Sequence, residues 1–251
     1  AILGATLSVS AHSQTVSTDR QTQVPAIESG SALESVCHLW TKRKVFFGIF
    51  SRRYTGSAVL YKDRYLITAG HNIYQDNSSL KSIEVRCGAA AAREVAVQQR
   101  IDGDNSLDAQ GYVRSGIRGS MPYKHDYGVI RLDRPITVAN PFTLAKGVTS
   151  GEAVRFAGFP VKKGSRAHSG WNMFAAKAKL TSVSAETGLT EYDLTTYGSN
   201  SGGPVWREVN GKPELVAIHV KQGTGRVVNK EFRDEVERLI TVLDEGVESR
   251  G

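Results

Sequence analysis

Ser57-Ala-Val-Leu-Tyr61 and Tyr65-Leu-Ile-Thr-Ala69 stand on either side of Lys62-Asp-Arg64. Both arms are crowded with β-branched, aromatic and aliphatic residues, and three polar residues part them. That is the pattern of two antiparallel strands joined by a tight turn. Outward from this hairpin, further strands are expected at Ile83 to Cys87, Tyr127 to Leu132, Val154 to Ala157, Pro204 to Trp206 and Leu215 to Val220. Asn210-Gly211, between the last two, is a strong hairpin-turn signal. Short strands at this spacing point to an all-β barrel or sandwich. One segment departs from the pattern. In Lys230 to Gly246, Phe232, Val236, Leu239, Ile240 and Leu243 recur at helical spacing, with Asn229 placed to cap the start and Gly246 to stop the end. This predicts a terminal helix that docks an apolar stripe on the body. The Gly-, Asp- and Ser-rich stretch from Asp102 to Ser120 reads as a long surface loop, and Lys42-Arg-Lys44 with Arg52-Arg53 as a solvated hairpin surface.

The 251 residues, 40% hydrophobic and 23% charged, are enough for one large domain or two small lobes. No apolar run reaches the roughly 18 residues of a membrane span, so membrane insertion is not expected. The two cysteines are too few for a disulfide-dense scaffold or for a zinc site built from cysteine pairs. His12, His38, His125 and His168 show no ligand spacing, and neither metal nor cofactor is expected. The formal charge of +7 would suit nucleic acid, anionic lipid or acidic peptide alike. Scattered Tyr and Phe offer no stacking platform, so a nucleic-acid partner is not expected. Ile2 to Val9 resembles the end of a signal-peptide apolar region, with small residues at Val9 and Ala11. Residues 12–34 read as a flexible segment ahead of the domain, a candidate propeptide. Export would allow Cys37 and Cys87 to pair; two separate buried thiols fit the sequence equally well.

Three segments carry candidate chemistry: Leu66-Ile-Thr-Ala-Gly-His71, Asp126-Tyr-Gly-Val-Ile-Arg-Leu-Asp-Arg-Pro135 and Gly198-Ser-Asn-Ser-Gly-Gly-Pro204. Each alone is modest, since a His, an Asp or a Ser beside glycines is often a turn residue. Together they supply a base, an orienting acid and a nucleophile in the order His, Asp, Ser. A serine hydroxyl needs an imidazole to take its proton, and the imidazole needs a carboxylate on its other nitrogen. Glycines around the serine let backbone N–H groups face a developing oxyanion.

At these residues the chain resembles the chymotrypsin-fold serine endopeptidases, and within them the secreted bacterial glutamyl endopeptidases. The resemblance runs from about Ser35 to the C-terminal helix. Ala157-Gly-Phe-Pro160 is similar to a Gly-Tyr-Pro segment of that branch, and Glu191 to Trp206 to its nucleophile region. Ala217-Ile-His-Val220 resembles its substrate-pocket strand, and Gly225 to Leu239 its last strand and helix. The resemblance implies two six-stranded antiparallel β-barrels, about 35–140 and 141–251, with the active site between them and a C-terminal α-helix. It implies His71 as base, Asp126 as orienting carboxylate and Ser201 as nucleophile, with the N–H groups of Ser199 and Ser201 as oxyanion donors. Asp102, Asp104, Asp108 and Asp133 compete for the acid's place; Asp133 reads as a strand-end turn residue. It also implies His219 and Thr196 as receivers of a substrate carboxylate, with Thr195 where a trypsin-like pocket has its acid. The alternative for His219 is a core histidine satisfied by a carbonyl. A neutral His219 receives a carboxylate less well, which predicts weaker pocket binding at high pH.

Ser199 departs from the family resemblance, in which glycine usually stands at this position. A side chain at this position disfavours the backbone conformation that an oxyanion donor needs. The expected activity is therefore that of a secreted, monomeric endopeptidase acting on polypeptides after Glu or Asp. The rival readings are a protease of other preference and a protease-fold binding protein without activity. Self-processing at Glu28-Ser29 or Glu34-Ser35 would fit an acidic preference.

Overall fold

A computed structural model describes residues 20–45, 50–73, 79–88, 98–102, 106–108, 123–132 and 134–248. The hairpin at 57–69 is present as β3 (Phe50–Tyr61) and β4 (Tyr65–Thr68). Its turn places Lys62 and Asp63 at φ 49° and 54°, the left-handed pair that matches the twist of the flanking strands. These strands belong to a seven-stranded antiparallel sheet. It adds β2 (Val36–Val45), β5 (Ser79–Cys87), β6 (Gln98–Asp102), β7 (Ser106–Asp108) and β8 (Gly128–Arg131), in the order β6-β5-β2-β3-β4-β8-β7. The stretch from Asp102 to Ser120 is thus not all loop. Ser106–Asp108 pairs with β8, which its alternation of polar Ser and Asp about one Leu did not announce, and the rest of it lies outside the described residues.

The second lobe closes on itself. β10 (Ala153–Gly158), β11 (Phe174–Ser184), β12 (Leu189–Tyr192), β15 (Thr224–Val227), β14 (Lys212–Lys221) and β13 (Pro204–Val209) form a ring, because β10 pairs with both β11 and β13. This is the six-stranded barrel that the resemblance implies. The first lobe differs in count, having seven strands, with no pairing between its terminal strands β6 and β7 among the described residues. Asn210 and Gly211, at φ 52° and 74°, make the β13–β14 turn. Two short strands join the ring: β1 (Thr22–Gln23) pairs with β11, and β9 (Thr143–Leu144) runs parallel to β14. Residues 20–34 are therefore packed on the body through β1 and a 3-10 turn at Ala32–Ser35, instead of forming the flexible leader read from their composition.

The helical elements are α1 (Gly70–Ile73) and α2 (Lys230–Glu248). Asn229 caps α2, its Oδ1 accepting from the Phe232 N–H at 2.9 Å. Gly246 does not stop the helix, which runs on to Glu248; one glycine costs only about 1 kcal/mol against alanine. The apolar stripe Phe232, Val236, Leu239, Ile240 and Leu243 is buried in a core that takes Val59, Ile67 and Val129 from the first lobe and Trp206, Leu215 and Ile218 from the second. Each such side chain contributes roughly 1.5–3 kcal/mol on burial, so α2 bonds the lobes to one another. Polar contacts fix its register: Tyr61 Oη donates to Glu237 at 2.8 Å, and Arg131 Nε reaches Asp244 at 2.9 Å. Each lobe also has a core of its own. Cys37 and Cys87 face each other across β2 and β5 and are joined by a disulfide.

Candidate active site

His71 sits at the start of α1, directly after the buried strand β4. A Cβ at Gly70 would lie 3.2 Å from the Tyr127 carbonyl, so glycine here lets this turn press against the segment that carries Asp126. Asp126 is fully buried and holds His71 twice. Its Oδ1 accepts from the His71 backbone N–H at 2.9 Å and its Oδ2 lies 2.8 Å from Nδ1. A carboxylate only accepts, so Nδ1 carries the proton of this bond, and in the neutral ring Nε2 is the nitrogen with the lone pair. Of the competing acids, Asp102 and Asp108 lie in β6 and β7, while Asp104 and Asp133 lie outside the described residues. Arg43, read from its basic neighbours as a solvated residue, is buried at 1% exposure. Its guanidinium donates to the carbonyls of His71 at 3.2 Å and Asn72 at 2.6 Å, which fixes the end of α1.

Ser201 is anchored through its backbone. Its carbonyl accepts from the Ser57 N–H at 2.8 Å and from Asn72 Nδ2 at 2.7 Å. The residue after His71 thus holds the residue carrying the candidate nucleophile. The Ser201 hydroxyl makes no hydrogen bond among the described residues. Next comes Gly202 at φ 86°, where a Cβ would fall 2.0 Å from the Ser57 carbonyl; only glycine fits that crossing of the two lobes. Gly202 N–H donates to the His219 carbonyl at 2.8 Å, tying the serine loop to β14.

The Ser199 departure has a definite geometry. Ser199 adopts φ 65°, a left-handed conformation that costs a non-glycine residue roughly 1–2 kcal/mol. The Val161 N–H takes the Gly198 carbonyl at 2.7 Å. The peptide is trans, so the Ser199 N–H points the opposite way. Neither this N–H nor that of Ser201 has an acceptor among the described residues.

His219 is 2% exposed and Thr196 7% exposed. The His219 Nδ1 is hydrogen-bonded to the hydroxyl of buried Tyr192. Burial, and then the proximity of His71, push the His219 pKa down to about 3, against a smaller opposite effect from a hydrogen bond to the Thr224 backbone. His219 is therefore neutral throughout the neutral and alkaline range, and the weakening of carboxylate binding expected from its titration at high pH does not arise. The N-terminal segment closes the other side. Gln21 Nε2 donates to the Thr195 carbonyl at 2.8 Å, Gln21 Oε1 accepts from Asn200 Nδ2 at 3.2 Å, and Arg20 pairs with Asp193 at 2.9 Å.

The sequence of residues 56–218 matches the model of the trypsin-like peptidase domain, a span that reaches from β3 to β14. The chain belongs to the trypsin-like peptidase family. No curated protein matches it by sequence. Among solved structures, a Glu endopeptidase in complex with MPD superposes with a TM-score of 0.63 at 18% identity, covering 88% of this chain and 96% of that one. At that identity the likeness shows the chymotrypsin-like fold. Within this trypsin-like peptidase, the expected residues fall at the junction of the lobes: His71 and Asp126 in contact, Ser201 joined to them through Asn72, and His219 behind the serine loop. Sequence reading missed Ser57, Asn72, Arg43, Tyr192 and Gln21. Only Asn72, adjacent to the candidate base, carried a positional signal.

Proposed function

We propose that the protein is a serine endopeptidase that cleaves after Glu or Asp through an acyl-enzyme. The observation that carries this reading is the doubly bonded His71–Asp126 pair, together with the Ser199 and Ser201 N–H groups that have no acceptor among the described residues. In the reaction, Ser201 Oγ adds to the scissile carbonyl as its proton passes to His71 Nε2, and Asp126 stabilises the imidazolium. The N–H groups of Ser199 and Ser201 receive the oxyanion. Collapse expels the amine, which takes the proton from His71. Water then repeats the cycle on the ester. The hydrogen bond from Ser201 Oγ to His71 forms when substrate is bound, as is common for catalytic hydrogen bonds that are loose in the free enzyme.

An acidic preference is supported by His219, whose carbonyl accepts from the Gly202 N–H of the serine loop, and by Thr196, which precedes that loop. In our reading His219, held through Nδ1 by the Tyr192 hydroxyl, and the Thr196 hydroxyl are the groups that receive the substrate carboxylate. The structural relative, a Glu endopeptidase, agrees with that preference. The Cys37–Cys87 disulfide suits an oxidising compartment, which supports a secreted protein. No helix among the described residues is long and apolar enough to cross a membrane.

The test is a cleavage map: an unfolded protein mixture is digested with the chain and with its Ser201→Ala variant, and new termini are read by mass spectrometry. Cuts after Glu that need Ser201 are the expected result. Cuts after other residues would discard the pocket roles of His219 and Thr196, and no Ser201-dependent cuts would discard the enzyme.

A further inference from the structure

Position 199 sets a problem that the chain must solve. Its N–H is one of the two unaccepted donors, and its φ of 65° is one that glycine adopts freely and serine does not. Serine with that φ is held only where its surroundings over-determine it. Three contacts do so here, and two come from one strand of the other lobe. The Ser199 hydroxyl is hydrogen-bonded to the Thr55 hydroxyl on β3. The Ser199 carbonyl accepts from Ser57 Oγ at 2.8 Å, and the same Oγ accepts from the Phe159 N–H at 3.0 Å. The third contact, from the Val161 N–H to the Gly198 carbonyl, sets the peptide plane whose other end is the Ser199 N–H. Ser57 is fully buried, so its hydroxyl has a defined orientation: one lone pair toward Phe159, its proton toward Ser199.

We propose that Thr55 and Ser57 are positioning residues that lock the Ser199–Ser201 N–H pair in the orientation that accepts an oxyanion, the Thr55–Ser199 hydroxyl pair doing what glycine's conformational freedom would do at this position. The catalytic loop is thus locked from the opposite lobe, so donor geometry depends on how the lobes meet. This inference rests on the serine endopeptidase reading above.

A double-mutant cycle with a conservative control tests it. Steady-state kinetics on a Glu-containing peptide would be measured for the full chain and for Thr55→Val, Thr55→Ser, Ser199→Gly and the Thr55→Val/Ser199→Gly pair, with thermal unfolding alongside. Losing one oxyanion donor costs an enzyme about 10²–10³-fold in kcat, so misaligning one should cost about ten-fold. The expected result is a fall of that size in kcat for Thr55→Val with KM little changed, and recovery in Thr55→Ser. In the Ser199→Gly background, adding Thr55→Val should change kcat by less than about two-fold, because no hydroxyl remains to be held. Equal kcat in Thr55→Val and the parent overturns the proposal. So does the same loss in both backgrounds, which would make Thr55 a packing residue only. Failure of the underlying reading has another signature: the parent chain and Ser201→Ala would be equally inactive.

Discussion

Asn72 Nδ2 lies 2.7 Å from the Ser201 carbonyl, and the same amide nitrogen reaches Thr68 Oγ1 at 2.9 Å. Asn72 is 8% exposed, and a Cβ on Gly56 would fall 2.6 Å from its side chain, so the amide is wedged in place. One residue away, His71 is held by Asp126. The amide therefore sets the spacing between base and serine. Asn72→Ala should lower kcat on a Glu peptide about ten-fold with KM nearly unchanged, because the chemistry depends on sub-ångström placement while the pocket does not touch this residue. Its stability should fall by about 1–3 kcal/mol, the cost of a buried polar group losing its partner. Equal kcat, or a change confined to KM, would remove Asn72 from the catalytic geometry.

Burial of His219 has a stability consequence whose sign is fixed. Its pKa is near 3 in the folded chain against 6.5 ordinarily. Between those values the unfolded chain binds the extra proton and the folded chain does not, so stability falls as pH drops from about 6.5 toward 3. His38, fully buried and also shifted down by burial, acts in the same direction. Denaturation midpoints should be flat from pH 7 to 9 with respect to these groups and decline below pH 6.5. His219→Gln should flatten part of that acid decline. An unchanged acid decline in the variant would show that His219 is not the buried neutral group described.

Much of this was legible beforehand for a physical reason. The 57–69 hairpin and the Asn210-Gly211 turn are local signals, since left-handed turn geometry selects those residue types. His71, Asp126 and Ser201 stood out as candidates because each sits in a short stretch containing glycine; Gly70 and Gly202 both prove to be close crossings. β2 and β11 were not read. Val36–Val45 ends in the charged run Lys42-Arg-Lys44, and Phe174–Ser184 alternates lysines with small alanines, so neither has a strong apolar period. The seventh strand of the first lobe escaped because tertiary pairing overrides weak local preference, and the run of α2 past Gly246 because one glycine is a weak stop. Long-range supports such as Gln21 and Arg226 have no local pattern at all.

Arg226 shows what such a support does. It is 1% exposed on β15, with Nε 2.5 Å from the Lys124 carbonyl and Nη1 2.9 and 2.7 Å from those of Gly188 and Val227. Its guanidinium also stands 5.5 Å from the ring centroids of Tyr127 and Phe232. One side chain thus ties the second barrel to the segment on both sides of Asp126 and to the root of α2. Arg226→Met keeps most of the volume and removes the donors; the Gly188 and Val227 carbonyls keep backbone N–H donors, while that of Lys124 loses its guanidinium partner. It should destabilise the chain by about 2 kcal/mol or more and lower kcat through a displaced Asp126. Urea midpoints and kcat measured together check this. A stable variant with full kcat would show that Asp126 is placed without this tie.

The segment ahead of the body makes a last prediction, about where an active chain begins. Gln21 bridges the Thr195 carbonyl and the Asn200 amide, one residue before Thr196 and one before Ser201. β1 and the Val24 N–H, which donates to the Met173 carbonyl at 2.9 Å, hold it there. Cleavage at Glu28-Ser29 or Glu34-Ser35 would detach this bridge from the chain that follows. Asn200 is fully buried, and loss of Gln21 would leave its amide without that partner. A chain starting at Ser29 should therefore be less stable, and less active on a Glu peptide by about ten-fold in kcat/KM, than one starting at Arg20. Gln21→Ala should show a smaller loss in the same direction. N-terminal sequencing of active material, with kinetics on the two defined chains, measures this. An active species that begins at Ser29 or Ser35 with undiminished kcat/KM would make the segment dispensable and return it to the role of a leader.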